Sequence, residues 1–186
     1  MLLISILIRL DSRGPVLYTP RMLGHHGAPF LLLRFRTMAL DAPDHAPPQE
    51  RFTRVGRVIR NLSLDHLPTL LNLLNGTLTL IGPRPMEPEH VDLQDPAWQR
   101  YFQIKPGLLN YAVLQLGQTW TPTQRRDPAV NRDLELAYIE KQSFLFDLRL
   151  FCAWMRALVT SRGNVKARGA AQVAGERKSD GDDQPS

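Results

Sequence analysis

Asp65 and His66 stand side by side in the stretch NLSLDHLPTLLNLLNG, Asn61 to Gly76. A carboxylate in the first turn of a helix is stabilised by the helix dipole and can simply cap backbone N–H groups. The same field keeps it ionised, and an ionised carboxylate can attack phosphorus or hold Mg²⁺. Spacing alone does not choose between these two readings of Asp65. His66 offers a neutral or cationic nitrogen, suited to a general base or, when protonated, to a phosphate contact, and poorly suited to Mg²⁺. Adjacent helical residues do not face one another, so a relay from His66 to Asp65 is not expected. Around this pair the sequence supplies arginines: Arg34 and Arg36, then Arg54, Arg57 and Arg60, and Arg84 within IGPRPMEPE. A guanidinium presents a planar fork of donors that matches phosphate oxygens, and the Gly-Pro-Arg-Pro corner holds Arg84 on a stiff backbone. As a set they predict a polyphosphate pocket around Asp65, whereas any one alone reads as a solvated surface charge.

Several elements must position these groups. Val16 to Met22 and Phe30 to Thr37 are extended candidates joined by a glycine-bearing turn, which predicts a β-hairpin ending in Arg34 and Arg36. Asp41 to Gln49, DAPDHAPPQ, has no periodicity and reads as a loop. Thr53 caps a short basic helix to Asn61, with Val55, Val58 and Ile59 on one face. A second helix is expected from Asp65 to Asn75, with Pro68 in its first turn and Gly76 as its stop. Pro96 to Gln103 reads as a further short helix. From Asp127, a cap followed by Pro128, a helical pattern runs to Arg162 with a break at Ser143. Its second half puts Phe144, Leu148, Phe151, Met155 and Leu158 on one stripe, with Arg149 and Arg156 one heptad apart. That pattern suits either an interfacial helix or one packed on the protein's own core. Residues 164–186 are polar and unpatterned and read as a disordered tail.

Composition narrows the partners. A chain of 186 residues supports one core of ordinary size. A formal charge of +5 and a pI near 9.8 call for an acidic partner: nucleic acid, anionic lipid or a phosphorylated substrate. No nucleic-acid-binding motif accompanies the charge, so no nucleic acid is expected. The single cysteine, Cys152, excludes an intrachain disulfide and reads as a buried small hydrophobe in a chain facing a reducing compartment. The apolar run MLLISILI is followed by Arg9 and Asp11, too short to span a bilayer and unlike a secretory signal. A half-inserted or surface-lying anchor and a buried strand or helix end both fit it.

The ordered motifs DSRGPVLYTPRMLGHHGAPFLLLRFRTM, TRVGRVIRNLSLDHLPTLLNLLNGTLTLIGPRP and KPGLLNYAVLQLG resemble the bacterial sugar transferases, monotopic polyprenyl-phosphate phosphoglycosyl transferases. The resemblance runs from about Leu2 to Thr160. It implies transfer of a sugar-1-phosphate from a UDP-sugar to a polyprenyl phosphate such as undecaprenyl phosphate, with Mg²⁺, starting exopolysaccharide or O-antigen-type glycan synthesis. The implied place is the cytoplasmic face of the bacterial inner membrane. In the family an Asp-Glu dyad provides the nucleophile that forms an aspartyl-phosphosugar intermediate. Asp65 matches the aspartate and would also hold the metal, His66 stands where the glutamate is usual, and Arg60 and Arg84 match motif arginines. Arg34 replaces a usual lysine and Pro20 a usual glutamine. Only the second half of the family's re-entrant membrane helix matches, at Leu2 to Leu10. The expected architecture is therefore α+β and mainly helical. A small β-hairpin and short helices surround a phosphate pocket built with Arg34, Arg36, Arg60 and Arg84, beside a truncated re-entrant helix and an interfacial amphipathic helix. Residues 1–12 form a partial membrane anchor, 13–163 the transferase domain and 164–186 the tail; a homodimer stays open. The exchange at His66 also admits a degenerate paralogue that binds UDP-sugar or a partner without turnover.

Overall fold

The computed structural model of the chain describes residues 1–43, 47–116 and 128–156. They belong to two compact units, Met1–Lys141 and a second that begins at Gln142. The first unit contains, in order, α1 (Leu2–Asp11), β1 (Leu17–Tyr18), β2 (Arg21–Leu23), β3 (Pro29–Leu31), β4 (Arg34–Phe35), α2 (Pro48–Arg51), α3 (Arg54–Asn61), α4 (Thr69–Leu74), β5 (Thr79–Ile81), α5 (Pro96–Tyr101), β6 (Gly107–Leu109), α6 (Tyr111–Leu116) and α7 (Pro128–Lys141). Helix and strand are mixed, with short helices predominating, as the sequence suggests.

The hairpin forms. β2 pairs antiparallel with β3, and β1 with β4, so that Met22 lies opposite Phe30 and Tyr18 opposite Arg34. Between the two ladders Leu32 N–H donates to Pro20 C=O at 3.0 Å, and Pro20 has no N–H to return. The missing donor splits one hairpin into two short ladders in the same register. The turn is closed by Gly24 N–H on Ala28 C=O at 2.8 Å, with His26 and Gly27 in the left-handed region.

Thr53 caps α3 as expected, its Oγ1 accepting Gly56 N–H at 2.9 Å; Asp11 at the end of α1 accepts Val55 N–H at 2.9 Å. With Thr53 N–H on Thr37 C=O at 3.1 Å, three of the four open donors at that terminus are satisfied, one of them by another helix. Gly56 lets α3 lie directly on the exit of β4, since a Cβ there would sit 2.0 Å from Thr37 O. On the other side, α1 packs Ile4 and Ile8 into a cluster with Phe35 and Ile59. Its Leu2, Leu3, Ile6, Leu7 and Leu10 remain exposed. Among the described residues no helix is long and apolar enough to cross a membrane.

Two expectations are corrected and one element is added. The segment Asp41–Gln49 is not loop to its end: α2 begins at Pro48, and a bridge from Met38 to Phe52 ties its far side to the strand exit. Residues 44–46 lie outside the described part. The helix expected from Asp65 starts later. Ser63 takes φ 56°, Leu64–His66 form a single 3-10 turn, and α4 begins only at Thr69 with Pro68 as its N-cap. The left-handed Ser63 breaks the chain out of α3, and leucines 64 and 67 then turn inward to pack by Phe35 and Ile59. Finally, a parallel pair, β5 with β6, was not foreseen; it is closed by Gly82 and Gly107, whose backbones pass so near that neither has room for a Cβ.

Elsewhere the expected boundaries hold with small shifts. α5 ends at Tyr101 rather than Gln103, and Asp95 caps it through Ala97 N–H at 2.8 Å. α7 starts at Pro128 and ends at Lys141, and a separate helix over residues 144–156 begins the second unit, its Ser143 Oγ accepting Phe146 N–H at 3.3 Å. Phe144, Leu145, Leu148 and Met155 on that helix are exposed, and so is Cys152, against the expectation of a buried cysteine. Asp127, Leu158, the continuation to Arg162 and residues 164–186 lie outside the described part. The remaining core of the first unit is a knot of Leu23, Met86, Trp98, Tyr101 and Phe102, and a smaller cluster of Met22, Leu32 and Leu78.

Candidate active site

The 3-10 turn carries Asp65 between two inward leucines, so its side chain is drawn under the surface and the residue is 7% exposed. Among the described residues no backbone N–H donates to the Asp65 carboxylate, which removes the capping role as the explanation of its position. Buried carboxylates are ordinarily hydrogen-bonded, so one placed without a backbone donor points toward the space it faces. That space is a cavity of about 380 Å³ whose polar lining includes Tyr18, Arg34, Arg51, Arg60 and Asp65.

Arg34 reaches this cavity because its backbone is held from α4. Leu33 N–H donates to Asn72 Oδ1 at 2.9 Å, and Leu33 C=O accepts Thr69 Oγ1 at 2.8 Å. Asn72 also donates to Leu31 C=O at 2.9 Å. Two buried polar side chains of α4 thus replace a neighbouring strand and fix the register of Arg34 against the turn that precedes α4. Phe35, the next residue, points the opposite way into the core, as strand alternation requires. The Arg34 side chain donates no hydrogen bond among the described residues, and its Nε is buried without a partner. Burial lowers its pKa, Asp65 opposes that shift, and Arg84 and Arg60 add to it. Three cations and one carboxylate therefore share one electrostatic neighbourhood.

Arg60 comes from the last turn of α3, with its guanidinium 5.0 Å above the Phe52 ring. Arg84 borders a second cavity of about 310 Å³ with Met22, Met86, Glu87, His90 and Asn131, while remaining close enough to Arg34 and His66 to affect both electrostatically. Arg36 is different. It is 4% exposed, and its guanidinium donates to Ser12 C=O and Ser12 Oγ, each at 2.9 Å, and to Arg13 C=O. Although it lies along the cavity wall, its terminal nitrogens fasten the link between α1 and β1, so the expected phosphate role does not fit Arg36. Arg51 and Tyr18 line the cavity without having been singled out in the sequence. Arg51 follows a proline-rich stretch with no periodic signal, and Tyr18 looks like any strand aromatic.

His66 Nε2 lies 3.7 Å from Asp65 Oδ2. The 3-10 turn brings the neighbours closer than a regular helix would, yet the separation exceeds a hydrogen bond. Burial lowers the His66 pKa; Asp65 works against this, and Arg34, Arg60 and Arg84 reinforce it. The imidazole is consequently neutral at pH 7 and does not add a fourth cation. Its Nδ1 is buried without a partner.

As a divalent-cation site this arrangement offers one protein carboxylate, and among the described residues no group of three histidine, cysteine or acidic side chains is arranged to hold a metal. Mg²⁺ commonly takes one or two carboxylates together with phosphate oxygens. The donor set fits Mg²⁺ only in that shared form, with Asp65 as the protein ligand and the arginines on the remaining phosphate charge.

Comparison with known proteins shows what the chain as a whole is similar to. A family model described as bacterial sugar transferase matches residues 1–161. The chain is 35% identical over 159 residues to the uncharacterized sugar transferase EpsL of Bacillus subtilis, covering 84% of this chain and 76% of that protein. It is 37% identical over 171 residues to the UDP-glucose:undecaprenyl-phosphate glucose-1-phosphate transferase of Caulobacter vibrioides, covering 87% of this chain and 63% of that one. It is 31% identical over 185 residues to the exopolysaccharide production protein ExoY of Sinorhizobium fredii, covering 88% and 78%. The chain thus spans about three quarters of EpsL and ExoY and less than two thirds of the Caulobacter transferase.

Proposed function

This chain belongs to the bacterial sugar transferase family, and from that premise we propose that it moves a sugar-1-phosphate from a UDP-sugar to a polyprenyl phosphate, with Asp65 as the nucleophile. The observation that carries this reading is the unspent donor set of Arg34. A largely buried guanidinium that donates no hydrogen bond, lining one cavity with a buried carboxylate, is satisfied by phosphate oxygens brought in by a substrate.

In the first step an Asp65 oxygen attacks the β-phosphorus of the donor. The bond from that phosphorus to the oxygen bridging the α-phosphate breaks, and UMP leaves with the electron pair. The sugar-phosphate remains on Asp65 as an acyl phosphate. In the second step a phosphate oxygen of the polyprenyl phosphate attacks the same phosphorus, the bond to Asp65 breaks, and the free carboxylate returns with a polyprenyl diphosphate-sugar as product. Arg34, Arg60 and Arg84 neutralise oxygens that gain charge in both steps, the largest class of contribution in phosphoryl transfer. Asp65 would be the protein group that holds Mg²⁺, which would supply further neutralisation of phosphate charge. His66, unlike a glutamate at this position, brings no second negative charge beside Asp65. Because the acceptor is lipid-linked, the exposed leucines of α1 are assigned to the cytoplasmic surface of the inner membrane.

The test is intact-mass analysis after incubation with UDP-sugars and Mg²⁺, followed by UMP release on adding polyprenyl phosphate. An adduct of sugar-phosphate mass that is absent in Asp65→Asn supports the mechanism; full-rate UMP release by Asp65→Asn refutes it. His66 favours one rival, a UDP-sugar-binding paralogue without turnover. A large gain in turnover on His66→Glu, from an inactive parent, would establish that rival.

A further inference from the structure

His66 is the residue of the Asp65 turn that the transfer steps leave without a task. Its side chain is 42% exposed while Nδ1 is buried, so Nε2 is the nitrogen turned outward, and Nε2 approaches Asp65 Oδ2 at 3.7 Å. That separation is too long for a hydrogen bond. It is close to the span of two ligands on one ion. Donors ~2.1 Å from a tetrahedral ion lie about 3.4 Å apart, whereas adjacent donors ~2.1 Å from an octahedral ion lie about 3.0 Å apart. Closure by about 0.3 Å makes the first geometry and about 0.7 Å the second. Ligand chemistry points the same way, because imidazole suits zinc-like ions and Mg²⁺ takes oxygen. Arg34, Arg60 and Arg84 share the neighbourhood of His66, so a free dication there meets three positive charges against one carboxylate. A donor diphosphate reverses that balance. The buried Nδ1 has no partner of the kind that ordinarily orients a metal-bound imidazole, which fits an ion that arrives with the nucleotide better than one held in the resting protein.

We propose that Asp65 Oδ2 and His66 Nε2 form a nitrogen–oxygen pair for a borderline divalent ion of the zinc class, shared with the oxygens of the donor diphosphate. The inference rests on the reading of Asp65 as the carboxylate that faces that diphosphate. Asp65 with phosphate oxygens alone still serves Mg²⁺; the imidazole ranks a zinc-class ion above it. Two protein ligands leave two positions of a tetrahedral ion for phosphate oxygens, while the arginines meet the remaining phosphate charge.

The experiment uses the full chain, with UDP in place of the donor and one equivalent of Zn²⁺. Zinc X-ray absorption of the wild type, which needs no variant, should show one imidazole among oxygen ligands, and only when UDP is present. Elsewhere among the described histidines, His25 turns Nε2 to Gln103 C=O at 3.0 Å and His90 pairs with Glu87 at 3.5 Å; zinc held there would not depend on UDP. The second measurement is competition between Zn²⁺ and Mg²⁺ for the UDP-bound protein, read by equilibrium dialysis. Phosphate and carboxylate oxygens by themselves already favour zinc, so the comparison is between variants. His66→Gln should lower the preference for zinc by about 100-fold, the upper end of what losing a group behind a metal ligand costs, and His66→Glu should move it furthest toward Mg²⁺. An all-oxygen shell in the wild type with UDP bound, or the same preference in the wild type and His66→Gln, would overturn the proposal and leave the transferase reading intact. Failure of UDP to bind with either ion would overturn both.

Discussion

Asn72 offers the sharpest test of how the site is built. It is 2% exposed, and its amide accepts Leu33 N–H and donates to Leu31 C=O and Thr77 Oγ1. Asn72→Ala removes all three bonds and leaves the Leu33 N–H without a partner beside α4. At a net ~1 kcal/mol for each lost bond, with more where a buried group is left unsatisfied, the cost is about 3–4 kcal/mol. Urea unfolding should show this as a lower midpoint with an unchanged slope. Asn72→Asp keeps the acceptor for Leu33 N–H and loses both donations, so it should not recover the full stability. Because Leu33 immediately precedes Arg34, donor affinity measured well below the unfolding midpoint should also fall in Asn72→Ala. A loss under ~0.5 kcal/mol, or unchanged donor binding in a destabilised protein, would refute the argument that α4 sets the register of Arg34.

Gly56→Ala should be strongly destabilising, by ~3 kcal/mol or more, since the new Cβ meets the Thr37 backbone rather than a movable side chain; a midpoint shift in the same urea assay checks it. Arg36→Gln should cost a few kcal/mol of stability through lost charged hydrogen bonds to Ser12 and Arg13, with turnover per folded molecule kept, whereas Arg34→Gln should reverse that pattern. Glu135 gives a stability slope of defined sign. Its folded pKa is raised from 4.5 to about 7, so the native state binds the proton more tightly and stability falls as pH rises through that window, by about 3 kcal/mol. Glu135→Gln should flatten this slope, and a wild-type slope in that variant contradicts the assignment. His66, with its lowered pKa, contributes the opposite sign, losing stability as pH falls through the ordinary imidazole range, and Glu135→Gln leaves that part in place.

The sequence made the hairpin legible because apolar and aromatic strand residues flank a glycine-bearing turn, while its division into two ladders at Pro20 shows only in the structure. Thr53 was legible as a cap because a hydroxyl before a periodic run has one local use, while Ser143 was legible only as a break and its Oγ also caps the next helix. The turn at Asp65 was not, because a regular helix and a 3-10 turn followed by a later helix share the same leucine spacing, and only the left-handed Ser63 separates them. The three-residue strands β5 and β6 carry too few residues to show alternation and depend on a pairing between distant glycines. Arg34 and Arg36 are indistinguishable by type and pattern. Which one stays free depends on the carbonyls of Ser12 and Arg13, a contact the chain order does not announce. Glu135 was missed because a helical glutamate is ordinarily solvated, and its burial follows from packing against α5 and α6.

One consequence concerns orientation. Ile4 and Ile8 fix the azimuth of α1 about its own axis, and Asp11, Ser12 and Arg13 pin its end to α3 and Arg36. The helix can neither roll nor swing independently of the domain, so the direction in which its exposed leucines point is set once, relative to the mouth of the cavity. Whatever surface receives those leucines meets the cavity at one angle, without a hinge to adjust it.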